Sequence, residues 1–132
     1  MGNIVRLTEA ASIGLHAIVI IAQSDIQVNV QSIADQTGSS RHHVAKVLQR
    51  LSKAGYIMSS RGPLGGFKLK QNAGKITLLD IYEAIEGSLN IPKCPANHDI
   101  CPFGKCLFDD VAQQMTVQFK VYLETKTVQD YL

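Results

Sequence analysis

The stretch NVQSIADQTGSSRHHVAKVLQRLSKAGYIMSSRGPLGGFKLK, residues 29–70, decides the fold. Asn29 suits the cap of a short helix, Val30–Gln36, that packs through Val30, Ile33 and Ala34. Thr37-Gly38-Ser39-Ser40 reads as a turn: Gly38 fits the left-handed residue that closes a helix, and Ser39 or Ser40 fits the next N-cap. A longer helix, Arg41–Ala54, follows and stops at Gly55. Within it Val44, Val47, Leu48 and Leu51 recur at helical spacing and form one apolar stripe. His42, Lys46, Gln49 and Lys53 point the opposite way, flanked by Arg41 and Arg50. A short helix, a glycine turn and a second helix with a basic outer face make a helix-turn-helix. The second helix is expected to enter the major groove of DNA, N-terminal end first. Two short apolar runs, Tyr56–Ser60 and Phe67–Lys70, then bracket Arg61-Gly62-Pro63-Leu64-Gly65-Gly66 and read as a β-hairpin. A hairpin directly after such a helix is the wing of a winged helix, with glycines that allow close approach to phosphates. Arg61 suits a phosphate or a narrow minor groove.

Charge supports that reading. The 44 residues between Asp35 and Asp80 contain no carboxylate and eight bases: Arg41, Lys46, Arg50, Lys53, Arg61, Lys68, Lys70 and Lys75. The formal net charge of +2 therefore hides a segment of +8 and a remainder of −6. A solvated lysine-rich face normally carries acids among its bases, so their absence is the footprint of a polyanionic partner. The expected DNA-binding set is Ser40, Arg41, His42, His43, Lys46, Gln49, Arg50, Arg61, Gly62 and Lys68. His42, Lys46 and Gln49 are expected at base edges, and Arg41, Arg50, Arg61 and Lys68 on phosphates.

Outside this stretch the chain reads as helical. Thr8 suits the N-cap of a first helix running to about Ala22, with Leu15, Ile18, Val19 and Ala22 at core spacing. Ser24–Gln27 is a connector, and His16 an ordinary helix residue. Thr77-x-x-Asp80 opens a helix to about Glu86, with Leu78, Ile81, Tyr82 and Ile85 inside and Gly87 closing it. A last helix, Leu107 to about Thr125, carries Phe108, Val111, Met115, Phe119 and Tyr122 along one side. Such a stripe at the end of a small domain suits dimerisation; the alternative is that the helix folds back on its own core. The fold expected is thus mainly α with a small β-hairpin wing: a winged helix-turn-helix plus a long C-terminal dimerisation helix. Its parts are a DNA-binding domain over 1–87, a cysteine loop over 88–106, and a dimerisation helix with tail over 107–132.

At 132 residues the chain has room for one domain with a modest core. The apolar run Ile13–Ala22 is too short to span a membrane, and no signal peptide opens the sequence, so a cytoplasmic protein is expected. No serine, histidine and aspartate set, phosphate loop or paired carboxylate marks an enzyme.

Cys94, Cys101 and Cys106 fall within thirteen residues, in a loop kept irregular by Pro92, Pro95, Pro102 and Gly104. Three cysteines cannot all pair within one chain, and thiols this close inside a cell are more often metal ligands. Lys93 and Lys105 favour the thiolate form. A fourth ligand must come from His98, Asp99, Asp109 or Asp110, or from a partner chain. Structural zinc held with His98, a thiol redox switch and plain unliganded cysteines are the alternatives. His42 and His43, on the reading helix, suit DNA or water better than metal.

Taken together, the chain resembles the Rrf2 family of bacterial winged-helix regulators, of the IscR and NsrR type. The resemblance covers nearly the whole sequence. It rests on Arg6-Leu7-Thr8, on Leu51-x-x-Ala54-Gly55, on the wing Arg61-Gly62-Pro63-x-Gly65-Gly66-Phe67, and on three cysteines before a long helix. It implies a homodimer on a palindromic operator and a 2Fe-2S or 4Fe-4S iron–sulfur cluster held by Cys94, Cys101 and Cys106, whose state changes DNA affinity. The sequence departs from the family in places. The cysteine spacing, x6 then x4, is less even than usual. Asp109 stands where IscR-like members place a ligand histidine, and Ser12 where some NsrR-like members use an aspartate. Glu9, Asp109 and His98 are the candidate fourth ligands. Ala45 replaces an acidic base-reader of the IscR type, so a different operator is implied. The function expected is a dimeric repressor modulated by the cluster; the rival is a zinc- or thiol-dependent interaction module on a winged-helix scaffold.

Overall fold

Helix α1 (Glu9–Gln23) begins where the Thr8 hydroxyl accepts from the Ala11 amide at 3.1 Å. Helix α2 (Val30–Thr37) is capped by Asn29 and ended by Gly38, at φ 67° and ψ 21°. Helix α3 (Arg41–Lys53) is capped by Ser40, not Ser39: its hydroxyl accepts from the His43 amide at 3.1 Å. Helix α4 (Leu78–Glu86) carries a reciprocal capping box between Thr77 and Asp80. Each such cap contributes about 1 kcal/mol. The protein is seen in a computed structural model that describes residues 7–89, 102–105, 107–108 and 110–132.

Strands β1 (Ile57–Ser60) and β2 (Gly66–Leu69) pair antiparallel, with Ile57 opposite Leu69 and Ser60 opposite Gly66. A contact invisible in the sequence anchors this wing. Phe67 donates to the Val28 carbonyl at 2.8 Å, and Val28 donates back at 3.0 Å. A Cβ on Gly66 would lie 2.7 Å from that carbonyl oxygen, so only glycine lets the two backbones approach. A 3-10 turn at Ala73–Lys75 leads into α4.

The main core joins α1, α3 and α4 through Ile18, Leu48, Leu51, Ile81 and neighbours, each fully buried. The expected α1 face is corrected in part. Ile18 is buried, but Leu15, Val19 and Ala22 are only half-buried, and Ala11, Ile13, Gly14, Ala17 and Ile21 sit inside. The reason is close helix packing. A Cβ on Gly14 would meet Ile85 Cδ1 at 2.7 Å and Val47 Cγ1 at 3.5 Å, so small residues face α3 and α4.

Helix α5 spans Val111–Thr125, starting four positions later than its apolar spacing suggests, with Asp110 left-handed at φ 65° before it. Its expected stripe is divided between packed and exposed residues, and the buried residue of the helix, Leu123, lies outside that stripe. Leu123 (3% exposed) packs with Ala11, Leu78, Leu79 and Tyr82, and the Phe119 ring meets Tyr82 edge-on at 5.7 Å. Val111 (54%) and Tyr122 (51%) stay exposed. The chain end then returns to the core: Leu78 donates to the Lys126 carbonyl and Val128 to that of Ile76, both at 2.9 Å. Among the described residues, no helix is long and apolar enough to cross a membrane.

Two measurements check this packing. Leu48→Ala should cost about 2–5 kcal/mol of stability in chemical denaturation. Burial, and then the Glu86 carboxylate, raises the Tyr82 phenol above its ordinary 10.0. Burial, then Asp80 and Glu83, does the same at Tyr56. Phenols raised on folding keep their full contribution below pH 10 and lose it as pH climbs through the folded values. Denaturation midpoints should therefore fall in the alkaline range, and Tyr82→Phe should flatten that fall.

Candidate nucleic-acid interface

Helix α3 is divided along its length. Val44, Val47, Leu48 and Leu51 are buried, at most 2% exposed. That burial turns Arg41, His42, Lys46, Gln49 and Lys53 to solvent, as the spacing requires. Among the described residues, none of Arg41, Lys46, Lys53, Arg61 and Lys68 makes an ion pair with a carboxylate. Asp80, Glu83 and Glu86 lie on α4 and not on α3 or the wing. The exposed face of α3 is thus a set of cations with their charge uncompensated.

Two residues of the expected set are placed differently. His43 is half-buried, and its Nδ1 lies 3.5 Å from Glu9 Oε1 at the start of α1. Arg50 is exposed, but its guanidinium donates to the Ile85 carbonyl at 3.0 Å, at the C-terminal end of α4. Positions 43 and 50 are seven apart, two helical turns, and so share one shoulder of α3. That shoulder faces α1 and α4, and neither partner is near in sequence. A cation also suits the negative end of a helix dipole, which explains arginine at position 50. Ser40 serves as the helix cap, its hydroxyl oxygen accepting from the His43 amide.

The wing carries Arg61, Gly62 and Lys68 to solvent. Gly62 sits at φ 105°, and the Gly65 amide donates to its carbonyl at 2.9 Å. A Cβ on Gly65 would lie 2.4 Å from the Ser60 carbonyl oxygen, so the turn tolerates no side chain there. The Ser60 hydroxyl bonds the Gln27 side-chain oxygen and ties the base of the wing to the connector before α2.

Cys94, Cys101, Cys106, His98 and Asp109 lie outside the described residues. Among the described residues, no group of three or more His, Cys, Asp or Glu side chains gathers as a metal site. Glu9 is described: it is exposed and faces His43. It also lines a cleft of about 540 Å³ with Thr8 before α1, Ser12 and His16 on it, and Gln36–Ser39 at the end of α2 and the turn after it. The cleft was not legible in the sequence, because its two walls are some twenty-five residues apart and meet only through packing. His16 is exposed, with Nδ1 2.7 Å from the Ser12 carbonyl oxygen.

Residues 7–132 match the family model described as "Rrf2: Iron-dependent Transcriptional regulator". A protein of Rhodopseudomonas palustris named HTH-type transcriptional regulator BadM is 42% identical over 82 residues, 61% of this chain. The match spans about half the length of that relative, 53%. The solved structure of CymR, the global cysteine regulator of B. subtilis, superposes with TM-score 0.78 at 22% identity, over 96% of this chain and 95% of that one. IscR of T. potens superposes with TM-score 0.75 at 24% identity, over 96% and 85%. At these identities the two structures bear on the fold alone: five helices with a two-stranded hairpin, the winged-helix arrangement.

Lys46→Ala should weaken DNA binding across sequences and reduce the log–log salt slope by about 0.9, while thermal stability stays unchanged. Arg50→Ala should instead lower stability by roughly 1 kcal/mol, through the lost bond to Ile85. Titrations at several salt concentrations, beside melting curves, separate the two.

Proposed function

The chain belongs to the Rrf2 family of transcriptional regulators, and on that premise we propose that it is a dimeric repressor whose operator affinity is modulated by an iron–sulfur cluster. The observation that carries the DNA-binding part is the uncompensated cationic face of α3, continued onto the wing by Arg61 and Lys68. In this reading His42, Lys46 and Gln49, all exposed, meet base edges in the major groove. Arg41, Arg61 and Lys68 hold phosphates on either side. Arg50 first joins α3 to α4, so it acts by holding the reading helix at its angle.

The cluster part rests on donor chemistry and on the family's iron-dependent description. Three thiols and one further oxygen or nitrogen ligand fit an iron–sulfur cluster. Cys94, Cys101 and Cys106 would hold it, with Glu9, Asp109 or His98 as the fourth ligand. When bound, such a cluster supplies a redox-active iron centre whose state is open to small reactants. On the protein side, Glu9 lies between the α1 cleft and His43 of the reading helix. Whatever engages the Glu9 carboxylate therefore changes the charge beside the N-terminal end of α3.

The dimer part rests on uncovered apolar surface. Val111 and Tyr122 of α5 are exposed, and Leu15, Val19, Ile20, Leu78 and Tyr131 line an apolar cleft of about 280 Å³. A second copy that covers them around a two-fold axis would present two reading helices to a palindromic operator. In this reading residues 1–87 read DNA, 88–106 carry the cluster, and 107–132 dimerise, in the cytoplasm.

Anaerobic purification with iron, sulfide and zinc analysis tests the cofactor. Matched iron and sulfide with broad visible absorption is expected, and Cys101→Ser should lose both and shift operator affinity. Zinc alone, or no metal in a folded protein, overturns the cluster and leaves a zinc- or thiol-dependent regulator. Sedimentation should show a dimer that Tyr122→Glu dissociates.

A further inference from the structure

We propose that Leu64 at the wing tip is an apolar wedge that enters the minor groove of DNA and opens a deformable base step. The inference rests on the DNA-binding reading above and goes beyond it. Leu64 is 91% exposed, more than any other large apolar side chain among the described residues. It sits in the turn Gly62-Pro63-Leu64-Gly65, closed by the Gly65 amide on the Gly62 carbonyl at 2.9 Å.

This turn is stiff. Pro63 has a fixed φ, and Gly65 is so crowded by Ser60 and Arg61 backbone that the loop has little room to rearrange. The hairpin beneath is anchored twice: by the paired bonds between Phe67 and Val28, and by the bond from Ser60 to Gln27. The fold therefore holds one branched apolar side chain outward on a short rigid arm. A turn position normally takes a polar residue or glycine, and the turn itself gains nothing from leucine there.

Charge complementarity names the occupant. Arg61 lies on the wing beside the turn and Lys68 on β2, both exposed, within a segment that holds no carboxylate from residue 36 to 79. One acid, Asp25, lines the groove behind the tip with Ile26, Pro63, Leu64 and Lys68. It belongs to the connector before α2, not to the hairpin. An apolar side chain bracketed by cations is the composition that minor-groove proteins use: the cations hold the two backbones while the wedge parts a base step and bends the duplex. Pyrimidine–purine steps such as TA part most easily, so the wedge would confer preference at a position without base-edge hydrogen bonds.

The test uses the full-length protein and a duplex that it selects from a random pool. End-to-end energy transfer reports bending, and binding is titrated on that duplex and on copies with the step under the wing changed from TA to GC. Leu64→Ser, exposed and so expected to fold, should bind about tenfold more weakly. Its salt slope should be unchanged, since no charge is lost, and both the bend and the TA preference should disappear. Leu64→Phe should keep the bend. Arg61→Ala should do the reverse of Leu64→Ser, lowering the salt slope and keeping the TA preference. Equal affinity, bend and step preference in Leu64→Ser overturn the wedge and leave DNA binding by α3 standing. A uniform loss of affinity with the bend retained also overturns it, reducing Leu64 to a surface contact. If the wild-type protein selects no duplex, the DNA-binding reading fails and the wedge with it; an apolar protein site at Leu64 and Ile26 would then explain the exposure.

Discussion

Burial of Val44, Val47, Leu48 and Leu51 along one stripe of α3 is the constraint on which the rest depends. Each of these side chains gains about 1.5–3 kcal/mol from leaving water. A rotation of α3 by one residue, about 100°, would expose part of the stripe and bury a cation. The rotational setting of the helix is therefore strongly held, and with it the direction of Arg41, His42, Lys46 and Gln49. The direction of this exposed face is a consequence of the core rather than a separate design. Arg50 and His43, on the shoulder between the two faces, add polar ties to α4 and α1 that set the helix angle.

The wing depends on the same core by a longer route. β1 leaves α3 through Gly55, and Ile57 is buried in the main cluster, so the hairpin starts from a fixed point. Its far strand is then held by Val28, just before α2. A hairpin of two four-residue strands is marginal alone. The additional backbone bonds to Val28 and the close approach at Gly66 make it a rigid arm. Both structures that carry cations, α3 and the wing, are in this way fixed to the pair α1–α2.

Helix α5 folds back onto the protein's own core along one side only. Its Leu123 and Phe119 side folds onto the protein's own second cluster, while Val111 and Tyr122 remain uncovered. The return of the chain to Ile76 and Leu78 through Val128 and Lys126 then pins the C-terminal end of α5 next to the start of α4.

By itself the sequence determined what local chemistry controls. The caps at Thr8, Asn29 and Thr77, a serine cap at position 39 or 40, the left-handed Gly38, the α3 stripe, the two strands and the acid-free basic segment all depend on residues within a turn or two of one another. So does the likeness to the Rrf2 family, whose motifs are short and contiguous. Only the tertiary structure decided which face of α1 is buried, because Gly14 and Ala17 are chosen by the closeness of α3 and α4 and not by their hydrophobicity. It alone decided that His43 meets Glu9, that Arg50 meets Ile85, that Val28 holds the wing and that the α5 stripe is shared between core and surface. These contacts join residues far apart in the chain. A periodicity reports which side chains share a face; it carries no information on what that face will meet.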